Sequence, residues 1–194
     1  GEESLQRALL IVSDWPLREG WETDFIQRTL LKEGINASKI SYDSILSERP
    51  YGGLLYKAAA GEVESGRARI TTALSTAGPS LVLAMGEACL ELTTGRKGID
   101  KWQASVLRPQ PNLTVVPTFS IERVAQDLSL QMWVALACRK LAAELKSPSQ
   151  EPKYDFLLNP PLEEALAFLR EQVLPSPVVS VDIETGRGQI NTVG

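Results

Sequence analysis

Two carboxylates near the C-terminus of the 194-residue chain are the side chains best suited to chemistry. Asp182 and Glu184 stand two positions apart in the run Val-Val-Ser-Val-Asp-Ile-Glu-Thr at 178–185. Side chains two positions apart on a strand project from the same face, and two such carboxylates can bridge divalent metals, as in two-metal phosphoryl-transfer sites. A charged strand end without function has the same Asp-x-Glu pattern, so the pattern alone leaves both interpretations open.

A second group of side chains, in the segment 95–108, combines four basic residues, one acidic residue and one tryptophan. These are Arg96, Lys97, Lys101, Arg108, Asp100 and Trp102. The local charge of +3 and the interleaved aromatic ring suit contacts to phosphates and stacking of a base. A solvated loop with a half-packed tryptophan has the same composition, so this alternative also stays open.

The histidine and cysteine counts exclude several classes of enzyme. The chain has no histidine, which excludes a Ser-His-Asp triad, a Cys-His nucleophile pair and a histidine-ligated zinc. The two cysteines, Cys89 and Cys138, cannot supply the four thiolates of a typical iron–sulfur cluster or a Cys₄ zinc site. We therefore expect no iron–sulfur cluster and no resident cofactor in this chain.

Charge and hydropathy indicate a soluble, intracellular protein. Lys and Arg number 20 against 24 Asp and Glu, and the formal net charge of −4 argues against a basic protein that coats nucleic acid. The low cysteine count is typical of a reducing compartment. No apolar run approaches the roughly 20 residues that cross a bilayer. We expect the cytoplasm of a bacterial or phage-infected cell, and no membrane partner.

Strands and helices are predicted to alternate through the first three quarters of the chain. Short apolar runs predict strands at 8–12, 40–46, 81–85, 106–107 and 113–116, and Arg-Pro-Tyr-Gly-Gly at 49–53 ends the second of them. Helical spacing predicts helices at 23–33, 63–77 and 87–93, and one long amphipathic helix over 121–145. Such alternation is typical of an α/β fold, a three-layer α/β/α domain with a mostly parallel central sheet.

A change of composition after residue 146 predicts a domain boundary. Residues 147–153 are polar and carry two prolines, which is typical of a linker between a domain at 1–146 and a second segment at 154–194. The second segment is predicted to contain a strand at 154–158, a helix at 161–173 and a strand at 178–185.

The second segment resembles a known family. The run at 178–185 closely resembles the first motif of proofreading exonucleases of the DnaQ type, and the preceding helix with its proline spacer resembles the lead-in to that motif in family A DNA polymerases. The resemblance implies the first elements of an RNase H-like 3′–5′ exonuclease, in which Asp182 and Glu184 hold magnesium or manganese. The chain ends ten residues after Glu184. We therefore expect the front end of a larger polymerase, with an exonuclease that is inactive in this fragment.

Five motifs in the first domain resemble, in their order, a uracil-DNA glycosylase-like domain, most similar to the iron–sulfur branch of that superfamily. They lie at 11–17, 44–50, 81–88, 99–105 and 115–121. The resemblance implies a three-layer α/β/α scaffold whose base pocket lies where the first, second and last motifs meet. Glu48 stands where the family has a cluster cysteine, which agrees with the low cysteine count.

The departures from this family fall at the chemical positions. The resemblance implies that Asp14 inherits the task of positioning water, and Ser120 replaces the histidine that stabilises the departing uracil. Loss of such a donor typically costs roughly 10²–10³ in rate. Ser44 replaces the amide that reads the base, and Trp15 and Leu17 replace small residues. These substitutions predict a filled, non-catalytic pocket.

The resulting hypothesis is the N-terminal fragment of a family A DNA polymerase, whose glycosylase-like domain binds DNA or a replication partner. An active uracil-DNA glycosylase that uses Asp14 is one alternative, and it predicts a vacant pocket the size of a base. A pure interaction scaffold, for a replicative helicase or another replication protein, is the other.

Overall fold

The chain divides into two compact units, Gly1–Gln150 and Glu151–Gly194. The computed structural model describes residues 8–36, 38, 40–76, 80–150, 157, 160–180, 183–186 and 189–193. The division falls inside the segment 147–153 that the sequence predicts as a linker. Among the described residues, no helix is long and apolar enough to cross a membrane.

A five-stranded sheet forms the centre of the first unit. Its strands are β1 (Ala8–Ser13), β2 (Ile40–Ser44), β3 (Ser80–Met85), β4 (Leu107–Gln110) and β5 (Leu113–Thr118). They lie in the order β2-β1-β3-β5-β4, and all neighbours are parallel except β4, which runs antiparallel to β5 at one edge. Strands β3 and β5 are the most deeply placed, since the described side chains of both are buried. Burial on both faces explains their continuous apolar runs.

Helices cover both faces of this sheet. They are α1 (Trp21–Lys32), α2 (Ala60–Thr76), α3 (Glu87–Thr94), α4 (Ile99–Trp102), α5 (Ile121–Gln126) and α6 (Gln131–Lys146). Because β1 lies between β2 and β3, the two right-handed connections through α1 and α2 run in opposite directions and lie on opposite faces. Helix α6 packs against α1, and α3 packs against α2. The first unit is therefore a three-layer α/β/α domain, which confirms the predicted fold class.

The predicted long helix over 121–145 is wrong, because the chain leaves the helical conformation at Asp127. This residue has an extended backbone, with φ −137° and ψ 97°. Its carboxylate accepts hydrogen bonds from the backbone N–H of Ser129 at 3.0 Å and from the Ser129 hydroxyl at 2.7 Å. A 3₁₀ turn, Leu128–Leu130, then leads into α6. The polar cap thus ends one helix and begins the next, although the apolar spacing continues across it.

The second unit contains a helix and a hairpin. Helix α7 (Leu162–Phe168) continues as a π-helical turn, Leu169–Val173, which confirms the helix predicted at 161–173. Strands β6 (Ile183–Gly186) and β7 (Gln189–Val193) pair in antiparallel fashion.

Two strand predictions in the second unit have different outcomes. Of the strand predicted at 178–185, residues 183–185 lie in β6, and the prediction is wrong for 178–180, where Val178 and Val179 are exposed. No strand among the described residues pairs with 178–180. The strand predicted at 154–158 lies outside the described residues apart from Leu157.

Candidate functional site

The carboxyl ends of three parallel strands bring the two predicted chemical positions of the first unit together. Asp14 follows β1, Gly86 follows β3 and Ser120 comes two residues after β5. Gly86 has a φ of +97°, and a Cβ there would lie 3.3 Å from the Cβ of Ser120 and 3.7 Å from a carboxylate oxygen of Asp14. Glycine suits this position because it tolerates a positive φ and allows the close approach. Asp14 and Ser120 therefore lie on either side of one glycine turn.

Asp14 has an unusual electrostatic environment. Burial raises the pKa of its carboxyl group to about 6, and the nearby negative charge of Glu122 acts in the same direction. The Cys89 thiol donates a hydrogen bond to Oδ1 at 3.5 Å and, together with the charge of Arg67, partly opposes this rise in pKa. Burial also raises the pKa of Cys89 well above its ordinary value, which keeps the thiol protonated as a donor. Asp14 thus has the pKa of a general base for work near neutral pH.

Trp15 closes the space in front of Asp14. Its side chain is only 5% exposed, and its indole Nε1 donates a hydrogen bond to Oε1 of Glu122 at 2.6 Å. The Arg49 guanidinium lies 5.5 Å from the centre of the indole ring and 4.0 Å from the same Glu122 oxygen. The ring is therefore held by packing, by a hydrogen bond and by a cation.

The cavity that remains beside Asp14 is very small. Its volume is about 10 Å³, and its lining includes Asp14, Trp15, Leu17 and Ser120. A buried water needs roughly 10–15 Å³ of such volume, whereas small-molecule pockets usually enclose about 300–1,000 Å³. The Asp14 cavity has room for about one water and none for a nucleobase.

Ser120 and Ser44, which the sequence analysis singled out, form hydrogen bonds within the domain. The Ser120 hydroxyl caps the N-terminus of α5 and accepts a hydrogen bond from the backbone N–H of Arg123 at 3.4 Å. The hydroxyl of the buried Ser44 donates to the backbone carbonyl of Leu46 at 2.7 Å. Both groups serve local structure.

Three of the predicted nucleic-acid contacts come together around Trp102. The Arg96 guanidinium lies 4.1 Å from the centre of the indole ring, and the Lys101 Nζ lies 5.2 Å from it. Trp102 is half-buried and packs against the core. We call Arg96, Lys101 and Trp102 the Trp102 cluster.

Ion pairs balance two charges close to the Trp102 cluster in sequence. Lys97 contacts Glu91 of α3 at 3.1 Å, so its charge is balanced. Asp100 accepts two hydrogen bonds from the Arg123 guanidinium, at 2.6 and 3.1 Å. The sequence predicts that Asp100 reduces the local positive charge. In the structure Asp100 is itself neutralised by Arg123, which lies 23 residues further along the chain.

Arg108 is placed differently from the other predicted contacts. Its guanidinium forms an ion pair with Glu144 at 2.9 Å and donates hydrogen bonds to Ser149 at 2.7 and 2.9 Å. The Glu144 carboxylate is almost completely buried and also accepts from the Ser149 backbone N–H at 3.0 Å. Arg108 therefore ties the start of the predicted linker to the first unit.

The loop that carries the Trp102 cluster is held by one carboxylate. Both oxygens of Glu87 accept hydrogen bonds at 2.7 Å, one from the backbone N–H of Gly98 and one from that of Ile99. Gly98 has a φ of +89°, which a residue with a side chain adopts only with strain. Glu87 thereby fixes the start of α4 and the position of the two cluster residues on it.

Sequence reasoning missed one exposed aromatic segment. In the segment 49–57, of which residues 49–53 were expected only to end a strand, Tyr51 is 93% exposed and Tyr56 is 79% exposed. The segment also contains Arg49 and Lys57 and has no acidic residue. This combination of cations with aromatic rings is the signal that could have identified it.

The structure describes only part of the predicted metal site. Asp182 lies outside the described residues, and the backbone of Glu184 lies in β6, paired with Thr192 of β7. Among the residues that the structure describes, no three metal-ligating side chains form a cluster.

Comparison of the chain with models of known protein families and with curated proteins gives no match.

Proposed function

We propose that the first unit is a non-catalytic, glycosylase-like domain that binds DNA through the Trp102 cluster, within a family A DNA polymerase. The observation that carries the proposal is the Asp14 cavity of about 10 Å³, which Trp15 closes. The three-layer α/β/α fold and the order of the five motifs support the glycosylase-like part. The motif at 178–185 supports the polymerase origin.

The closed cavity argues against base excision for a steric reason and a chemical one. Enzymes that act on a base must take it out of the stack into a fitted pocket. To admit a base, Trp15 would have to leave its buried position and give up its hydrogen bond to Glu122. The hydroxyl of Ser120, which caps α5, is short and neutral and is a weak donor to a departing base that develops negative charge. Asp14 has a suitable pKa, but a substrate has no room beside it.

The Trp102 cluster has the composition that DNA binding needs. Arg96 and Lys101 supply charge for phosphates, and the indole supplies an aromatic surface for a base. Because Arg123 neutralises Asp100, this carboxylate does not repel the phosphate backbone. Replication partners such as a helicase belong to the scaffold alternative, which needs no basic surface.

A fluorescent oligonucleotide tests the proposed DNA binding directly. The full chain is titrated with it at two salt concentrations, and the affinity is read from fluorescence anisotropy. We expect the affinity to fall steeply as salt rises, and Trp102→Ala to weaken binding about fivefold or more. Trp21→Ala is the matched control, since Trp21 is 52% exposed and lies on α1, outside the cluster. Salt-independent binding, or equal effects of the two variants, would support the scaffold alternative.

For the second unit, we propose that Asp182 and Glu184 hold magnesium or manganese as part of an exonuclease centre. Carboxylate oxygens are the ligands that these cations prefer, and two carboxylates supply only part of the six positions that Mg²⁺ fills. Titration with Mn²⁺, followed by water-proton relaxation, tests this assignment. Because two carboxylates form only part of the site, the unmodified chain should bind Mn²⁺ weakly, and the double variant Asp182→Asn, Glu184→Gln should lose this binding. Equal binding by both proteins contradicts the assignment.

A further inference from the structure

An open groove lies beside the start of α2, outside the Asp14 cavity. Its volume is about 570 Å³, within the range of about 300–1,000 Å³ that is usual for ligand sites. It is lined by Leu55, Tyr56, Ala58, Val63, Glu64 and Arg67. Leu55 and Val63 are half-buried and pack against the core, so they form a firm apolar floor. We call this site the Tyr56 groove.

One wall of the Tyr56 groove is an exposed aromatic ring. Tyr56 is 79% exposed, and it follows Tyr51, which is almost completely exposed, in the segment 49–57. Two nearly bare tyrosine rings in one short segment are more than the scattered apolar exposure of an ordinary surface, and such concentrations mark interaction sites. Lys57 adds a positive charge to the same segment, whereas Arg49 is paired with Glu122. An exposed aromatic ring beside a positive charge suits a polymer that has planar bases and negatively charged phosphates.

Polar groups at the rim of the Tyr56 groove can bond to the edge of a base. Arg67 belongs to the groove lining, and its side chain is 36% exposed. Glu64 adds acceptor oxygens to the same rim. Nucleobases carry both donors and acceptors on their edges, so an arginine and a glutamate together can satisfy them.

Ion pairs connect the Tyr56 groove to the Trp102 cluster. Arg67 Nη2 lies 3.6 Å from Glu91 Oε2, and the other oxygen of Glu91 lies 3.1 Å from Lys97 Nζ. Lys97 is the sequence neighbour of Arg96, which stacks on Trp102. The groove and the cluster therefore adjoin along one surface.

We propose that the Tyr56 groove takes an unpaired base of single-stranded nucleic acid, which stacks on Tyr56 while the phosphate chain continues toward Arg96 and Lys101 of the Trp102 cluster. This inference about the Tyr56 groove rests on the proposed DNA binding and restricts that binding to single strands. Stacking on a protein ring needs a base with a free face, which a single strand offers and a regular duplex does not. Successive aromatic contacts beside a cationic path are the usual arrangement of proteins that bind single strands without strong sequence preference.

The test compares single-stranded and duplex binding by variants of the full chain. Affinities for a fluorescein-labelled 15-mer and for a hairpin duplex of the same composition are measured by anisotropy. We expect Tyr56→Ala to weaken single-strand binding about fivefold or more, and Tyr56→Phe to keep it because the ring is retained. Tyr42→Ala is the matched control, since Tyr42 is 41% exposed on the edge strand β2 and lies outside the groove. Duplex binding should be equal for Tyr56→Ala and the unmodified chain.

The outcomes separate failure of this proposal from failure of the proposed function. If the unmodified chain does not bind, or Trp102→Ala has no effect, the proposed DNA binding itself is wrong. If Trp102→Ala weakens binding but Tyr56→Ala and Tyr42→Ala have equal effects, only the groove assignment is overturned. If Tyr56→Ala weakens single-strand and duplex binding equally, the preference for unpaired bases is overturned.

Discussion

Two tryptophans of the first unit show how differently the same type of side chain is used beside the closed Asp14 cavity and in the Trp102 cluster. Trp15 is buried, and its indole N–H bonds to the carboxylate of Glu122. Trp102 is half-buried, and two cations lie near its ring. Beside the Asp14 cavity, the polar groups that a substrate would meet form hydrogen bonds within the domain. In the Trp102 cluster, Arg96 and Lys101 are exposed to solvent and Trp102 is partly exposed. We infer that stability depends on the first region and binding on the second.

Replacement of Trp15 is the largest expected perturbation. Trp15→Ala should lower the free energy of unfolding by about 4 kcal/mol, because it leaves a cavity in the core and removes the hydrogen bond to the Glu122 carboxylate. Trp15→Phe should lower it less, since the ring is kept and only the N–H is lost. Urea denaturation measures both. Under conditions where the variant is folded, DNA affinity should be unchanged, and a loss of affinity equal to that of Trp102→Ala would contradict the separation of the two regions.

The buried carboxyl group of Asp14 predicts a pH effect of opposite sign to that of a salt-bridged aspartate. Its pKa is raised from 3.8 to about 6, so the folded state holds the proton more tightly than the unfolded state. Stability should therefore fall as the pH rises from about 4 to about 6, by up to about 3 kcal/mol. The difference in unfolding free energy between Asp14→Asn and the unmodified chain, measured across this range, isolates the contribution of Asp14. A constant difference would mean that the carboxyl is solvated and the cavity is open.

Two arginines near each other in the sequence should have opposite effects. Arg108→Ala removes the partner of Glu144, which is 2% exposed, and should lower the free energy of unfolding by about 2 kcal/mol. It should change DNA affinity little. Arg96→Ala should weaken DNA binding and leave stability nearly unchanged, because Arg96 is exposed. Urea denaturation measures the stability of both variants, and anisotropy measures their DNA affinity. Equal losses of DNA affinity would mean that Arg108 also contacts DNA.

The carboxylate that holds the loop gives the smallest expected effect. Glu87→Gln keeps the shape of the side chain but loses one of two acceptor oxygens, which should lower the free energy of unfolding by about 1 kcal/mol. DNA affinity should fall by less than it does in Trp102→Ala, because Trp102 itself is kept. Glu19→Gln, on an exposed loop, is the control. An unchanged affinity with reduced stability would show that the loop does not need this anchor to bind DNA.

The fold was predictable because burial on both faces leaves a strong mark on a strand. The runs that became β1, β3 and β5 are mostly apolar, and Gly86 directly follows β3. The break at Asp127 was not predictable from apolar spacing, because that spacing stays in phase through a cap made by one carboxylate.

The candidate site was predictable in position but not in shape. Asp14 and Ser120 meet because strand ends in a parallel sheet share an edge, whereas the volume left by Trp15 depends on its packing. Arg108 was grouped with Arg96 by sequence distance, but its partner Glu144 lies 36 residues further along the chain. Long-range ion pairs of this kind cannot be read from local composition.

Uracil release from a bound oligonucleotide tests the central claim most directly. A labelled single strand that contains uracil is saturated with the full chain, as judged by anisotropy, and abasic sites are then revealed by alkaline cleavage. The closed Asp14 cavity predicts full binding and no more cleavage than Asp14→Asn gives. Cleavage by the unmodified chain that Asp14→Asn abolishes would show that the cavity opens to a base and that the domain is a glycosylase.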